Sequence, residues 1–193
     1  MSMPATTWWG DRVIENRTYE EIAVGDQASL TRLLTVEDIQ LFALVSGDMN
    51  PAHLDADYAA ESRFHHVIAH GMWSGALISA LLGTRLPGPG TIYLGQSLSF
   101  TAPVSLGDSV TVSVTVVEKT DAHRHLRLAC RGVNQDGVEV VTGEALVMAP
   151  RDKVRRPAPD LPAVYLRHRG IDRLVFDNAA FMLSLAPYRP VAE

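Results

Sequence analysis

Gly71-Met72-Trp73-Ser74-Gly75-Ala76-Leu77-Ile78-Ser79-Ala80-Leu81-Leu82 carries no charged residue. Met72, Trp73, Leu77, Ile78, Leu81 and Leu82 recur at helical spacing, and Gly75, Ala76, Ser79 and Ala80 leave the remaining surface slim and uncharged. Such a helix is expected to be buried on nearly every side, so other parts of the chain must wrap it. It is too short to cross a bilayer, and Ser74, Gly75 and Ser79 interrupt it, so the wrapping is protein and no membrane is expected.

The wrapping follows downstream. Ile92, Leu94, Leu98 and Phe100 alternate with Tyr93, Gly95, Ser97 and Ser99, and Val110, Val112, Val114 and Val116 alternate with Thr111, Ser113 and Thr115. Each series predicts a strand with one buried face. Leu126 to Val133 and Val138 to Met148 flank Asn134-Gln135-Asp136-Gly137, whose Asp-Gly ending suits a hairpin, and Ala28 to Leu33 adds an early strand after Gly25-Asp26. One charge-free helix followed by long antiparallel strands predicts an α+β fold, a curled sheet around the helix.

Upstream, Thr35-Val36-Glu37-Asp38 has capping-box spacing, and Val36, Ile39, Phe42, Ala43 and Leu44 continue it as a helix from Val36 to about Val45. It ends where Ser46-Gly47-Asp48-Met49-Asn50-Pro51-Ala52-His53-Leu54-Asp55 begins. Gly47 permits a left-handed turn, while Pro51 fixes its own φ and pushes Asn50 towards extended geometry. The decapeptide is therefore expected to be a stiff, non-helical turn that aims Asp48 and His53 at one point. A short helix from Ala56 to Ser62 and a connector from Arg63 to Ala69 lead on to the charge-free helix.

An ionised carboxylate and an imidazole that titrates near neutrality suit the addition or removal of water. Gly71, at the mouth of the buried helix, offers an unpaired N–H to a carbonyl oxygen, and Ser79 offers a hydroxyl two turns further on. Each residue also has a plainer reading. Asp48 and Asn50 are common turn residues, His53 serves equally as a structural histidine, Gly71 as a helix start and Ser79 as a small packing residue. His66 and His70 stand four apart near His53 and His65, but that segment is a poor helix and no cysteine joins them, so a metal is not expected. Gly83 to Gly90 is a helix stop rather than a phosphate loop, since no Lys-Ser/Thr follows it.

With 193 residues the chain has room for one substantial domain and an appendage. A net charge of -5 argues against nucleic acid as a partner. The lone cysteine, Cys130, fits a buried thiol in a reducing compartment, and Met1 to Arg17 lacks the apolar stretch of a secretory signal, so the cytoplasm is expected. Three segments follow: an N-terminal extension over residues 1–18, a domain over 19–149, and a basic, proline-containing tail or linker over 150–193. In the tail, Arg167 to Leu185 is amphipathic enough for a helix.

Three blocks, Ser46 to Asp55, Ile68-Ala69-His70-Gly71-Met72 and Tyr93-Leu94-Gly95-Gln96-Ser97-Leu98-Ser99-Phe100, closely resemble the MaoC-like (R)-specific enoyl-CoA hydratases. The resemblance implies a hot-dog fold and a homodimer or higher homo-oligomer, with an acyl-CoA or acyl carrier protein thioester entering between subunits. It places the acid-base pair on Asp48 and His53, the thioester-polarising amide on Gly71, a supporting hydroxyl on Ser79 and an orienting role on Asn50. The implied reaction is reversible addition of water to a trans-2-enoyl thioester, giving the (3R)-3-hydroxyacyl product without a cofactor. The tail resembles the linker after the hydratase domain of bifunctional enoyl-CoA hydratase/phosphate acetyltransferase proteins, although 193 residues leave no room for the second enzyme. A remnant of such a protein, or a silent acyl-CoA-binding module, is the alternative reading, and intact Asp48 and His53 argue against silence. A thioesterase would want a carboxylate on the buried helix, where there is none.

Overall fold

The valine ladder of β4 (Ser109–Thr120) sets the centre of the protein, because Val110, Val112, Val114 and Val116 all point inward and are at most 1% exposed. The computed structural model describes residues 13–162 and 164–166. A five-stranded antiparallel sheet runs in the order β2 (Gln27–Leu33), β4, β5 (His125–Val133), β6 (Glu139–Met148) and β3 (Ile92–Phe100). The expected hairpin joins β5 to β6, with Gly137 at φ +77 and the Asn134 N–H bonded to the Val138 carbonyl at 3.0 Å.

α4 (Gly71–Thr84) packs on the inward face, burying Trp73, Leu77, Ile78, Leu81 and Leu82 together with Leu126, Leu128 and the β4 valines. Each such side chain contributes about 1.5–3 kcal/mol relative to an exposed one. The helix is less enclosed than its composition predicts, for Met72, Ala76, Ser79 and Gly83 form an exposed stripe along one side. The expected buried face of β3 is likewise largely open, although Leu98 is partly buried against the core. Ile92, Tyr93, Leu94 and Phe100 are all exposed, β3 is a sheet edge, and a bulge between Tyr93 and Gly95 shifts its alternation. Periodicity identifies a strand, but it does not say whether the same chain covers that strand.

Upstream of α4, α1 (Val36–Ser46) is capped as the sequence predicts, Thr35 Oγ1 accepting from the Asp38 N–H at 3.2 Å. The decapeptide after it departs from expectation. Pro51–Leu54 forms one helical turn, α2, with Pro51 in its first turn and the Asn50 side chain accepting from the Ala52 N–H. A third short helix, α3 (Ala56–Glu61), follows.

The basic stretch after Pro150, expected as a linker, folds back onto the domain. β7 (Arg155–Pro157) pairs with β1 (Val13–Glu15), and Lys153 bridges Glu21 at 2.9 Å and Glu15 at 3.2 Å. Asn16, 1% exposed, sits under this strap. Its amide donates to the Pro89 and Asp152 carbonyls and its oxygen accepts from the Val154 N–H, all at 2.9 Å. The expected helix from Arg167 to Leu185 lies outside the described residues, as does the extension before Val13. Asn16→Ala leaves buried backbone groups unpaired and is expected to lower stability by about 2 kcal/mol. Urea unfolding checks this, with turnover per folded molecule preserved.

Candidate active site

Gly47 ends α1 in the left-handed conformation, φ +76, and donates its N–H to the Ala43 carbonyl at 2.9 Å, which throws Asp48 clear of the helix. The Asp48 N–H donates to Ser46 Oγ, and its carboxylate Oδ1 accepts from the Asn50 N–H, both at 3.1 Å. The turn chemistry is thus real, yet it occupies only one carboxylate oxygen. Oδ2 has no partner among the described residues. On α2, His53 Nδ1 lies 2.9 Å from the Ile68 carbonyl, so Nδ1 carries the proton and Nε2 is left with a free lone pair.

A third residue, a second imidazole, joins them. His70, 2% exposed, stacks on His53 with ring centroids 4.0 Å apart and meets Phe42 at 4.9 Å. Its Nε2 lies 3.0 Å from the backbone carbonyl of Asp48. Titratable atoms of Asp48, His53 and His70 all fall within 4.8 Å of one another. Two imidazoles and a carboxylate are of the types that ligate metals as well as those that move protons on and off water. His66 and His65 take no part: His66 Nε2 pairs with Ser105 Oγ at 2.8 Å and His65 Nδ1 faces the Ala60 carbonyl at 3.3 Å.

Burial is the main force holding the His70 pKa below the ordinary imidazole value. The neighbouring His53 adds to it, while the bond to the Asp48 carbonyl and the Asp48 charge oppose it. A base depressed in the folded state binds more protons when unfolded. Stability is therefore lost as pH falls below about 6.5, and the loss levels off below the folded pKa. His70→Gln cannot titrate and is expected to flatten that acid limb, as unfolding midpoints measured from about pH 8 to pH 5 would read.

Gly71 opens α4 directly after His70. A Cβ added there would meet the Phe100 ring at 3.3 Å, so glycine keeps the approach to the helix terminus open. His53, His70, Gly71, Ser74, Phe64 and Phe100 are among the residues lining a cavity of about 260 Å³. Asp48 is not among the lining residues and reaches the site through its proximity to the two imidazoles. Ser79 is not brought in: it lies on the exposed stripe of α4, and the serine of that helix that lines the cavity is buried Ser74. The five residues from Ser74 to Ser79 turn the helix by a net of about 140°, which carries Ser79 away from the face that Ser74 shares with the site. The Asn50 side chain caps α2, and the His53 N–H bonds to the Asn50 carbonyl at 3.0 Å.

This architecture has known counterparts. The family described as MaoC like domain matches residues 20–133. An (R)-specific enoyl-CoA hydratase of Rhodospirillum rubrum is 48% identical over 134 residues, covering 68% of this chain and 91% of that protein. A 3-hydroxybutyryl-CoA dehydratase of Methylorubrum extorquens is 45% identical, over 72% of this chain and 88% of that protein. Among solved structures, the unliganded R-hydratase PhaJ1 of Pseudomonas aeruginosa superposes with a TM-score of 0.77 at 51% identity, covering 80% of this chain and 99% of that one.

Proposed function

This chain belongs to the MaoC-like domain family, with the hot-dog fold, and on that premise we propose that it adds water reversibly across trans-2-enoyl-CoA to give (3R)-3-hydroxyacyl-CoA. The observation that carries the reading is that three unspent groups belong to one site: the Asp48 Oδ2 on a carboxylate beside the His53 ring, and the His53 Nε2 and Gly71 amide on residues that line one cavity. The thioester oxygen accepts from the Gly71 N–H, where the helix terminus stabilises the developing enolate. Asp48 and His53 hold the water between them. As its oxygen attacks C3 the pair takes up one water proton, and a proton from the same pair is delivered to C2. Run backwards, the same groups remove water.

CoA as the carrier is supported by the CoA substrates in the names of the 48% and 45% identical relatives. A relative named as an acyl-carrier-protein dehydratase is only 29% identical. We assign the enzyme to the cytoplasm on its lone buried cysteine. Among the described residues, no helix is long and apolar enough to cross a membrane. The open edge of β3 and the uncharged stripe Met72, Ala76, Ser79 and Gly83 support a homodimer, since a single chain would leave both apolar and uncovered. Ala76→Arg is expected to yield monomers by light scattering, whereas a wild type that is itself monomeric contradicts the dimer. The activity is tested by incubating the protein with trans-2-butenoyl-CoA and resolving the product on a chiral column. The (3R) alcohol is expected, and the (3S) alcohol or free CoA would refute the assignment.

A further inference from the structure

We propose that His70 is a positioning residue: its ring ties the acid-base loop to the first turn of α4 and, by turning away from that turn, keeps its amides open for the thioester oxygen. The proposal rests on the hydratase reading above.

His70 is the N-cap of α4. The residues favoured at such positions are Ser, Thr, Asp and Asn, whose side chains fold back to accept from the first-turn N–H groups. His70 makes no such bond. Its Nε2–H donates instead to the Asp48 carbonyl, 22 residues earlier, and the Gly71 and Met72 amides are left without an acceptor among the described residues. A conventional cap here would place an oxygen where the substrate's oxygen has to sit.

The ring also bears a cost that packing alone does not explain. With the proton on Nε2, the lone pair of Nδ1 is buried and has no partner among the described residues. Phenylalanine would fill the same space beside Phe42 and His53 without that cost, so the imidazole is accounted for by its one donor. The groups that face it are Asp48 and His53, and burial favours its uncharged form.

His70 completes a clamp made by three consecutive residues. The Ile68 carbonyl fixes His53, the Ala69 N–H bonds to the Val104 carbonyl at 2.8 Å, and the His70 ring fixes Asp48. Acid, base and amide are thereby referenced to one short segment anchored beside the sheet. Displacing a reacting group by about 1 Å costs on the order of 10²-fold in rate.

Three variants test this by steady-state hydration of trans-2-butenoyl-CoA and thermal unfolding. His70→Gln places an amide N–H near the position of Nε2 and is expected to keep kcat within about 5-fold of wild type. His70→Asn is one methylene shorter and a strong N-cap. Its side chain is expected to close onto the first-turn amides, lowering kcat about 10²-fold with a smaller change in KM, while the protein stays at least as stable as the Gln variant. His70→Ala is expected to lose kcat as Asn does, without the stability. If kcat per folded molecule is within about 3-fold of wild type in all three, or follows stability so that Asn exceeds Gln, the positioning role is overturned while the hydratase reading stands. A wild type that hydrates no enoyl thioester overturns the hydratase reading, and the positioning role with it.

Discussion

Asp48→Asn is expected to lower kcat for hydration of trans-2-butenoyl-CoA by about 10³-fold. The substitution is close to isosteric, and the amide oxygen of the replacement side chain still accepts from the Asn50 N–H, so the turn after Gly47 keeps its shape. What disappears is the charge and the second acceptor at Oδ2. An amide neither takes a proton from water nor offsets charge on a neighbouring imidazole, so the loss falls on the chemical step and KM moves little. Unfolding by urea should separate this variant from wild type by less than about 1 kcal/mol, because the carboxylate is exposed and makes no ion pair among the described residues.

His53→Asn should fall as far, for a complementary reason. The Asn side chain keeps a donor near the position of Nδ1, so the bond to the Ile68 carbonyl survives and α2 stays docked. The atom lost is Nε2, which bears the free lone pair. A drop in kcat of about 10³-fold is expected. His53→Ala loses both nitrogens and leaves the Ile68 carbonyl unpaired, at about 1–3 kcal/mol of stability. Added imidazole is expected to restore part of the Ala variant's turnover and none of the Asn variant's, since only Ala leaves room for the ring.

The local features of this fold are legible in the sequence because their physical cause is local. The Thr35 box, the Gly47 stop, the valine ladder of β4 and the turn ending at Gly137 are each set by residues a few positions apart. Asp48, His53 and Gly71 stand out in the same way, as an acid, a base and an uncovered helix start. His70 is noticed in the sequence only as a metal candidate and as part of a family block, because the bond that ties it to Asp48 spans 22 positions. The strap is hidden for a similar reason: Arg155 and Arg156 look like a solvated run until Glu15 and Ile14 lie beside them. Helical period and strand alternation define faces, whereas which face is covered depends on what else is present, and in this chain Ser79 and much of β3 lie on open faces. The exposed apolar side chains of β3 and the uncharged stripe on α4 are faces that periodicity marks and this chain leaves uncovered.

The central claim is that Asp48 and His53 act as one unit on one water. A double-mutant cycle in kcat tests it most directly, comparing wild type, Asp48→Asn, His53→Asn and the combined variant on trans-2-butenoyl-CoA. If the two groups share a single proton-transfer step, the combined variant should be no slower than the worse single variant by more than about 10-fold, because either loss already disables the unit. Losses that multiply to about 10⁶-fold would mean that the two residues act independently, contradicting the shared water.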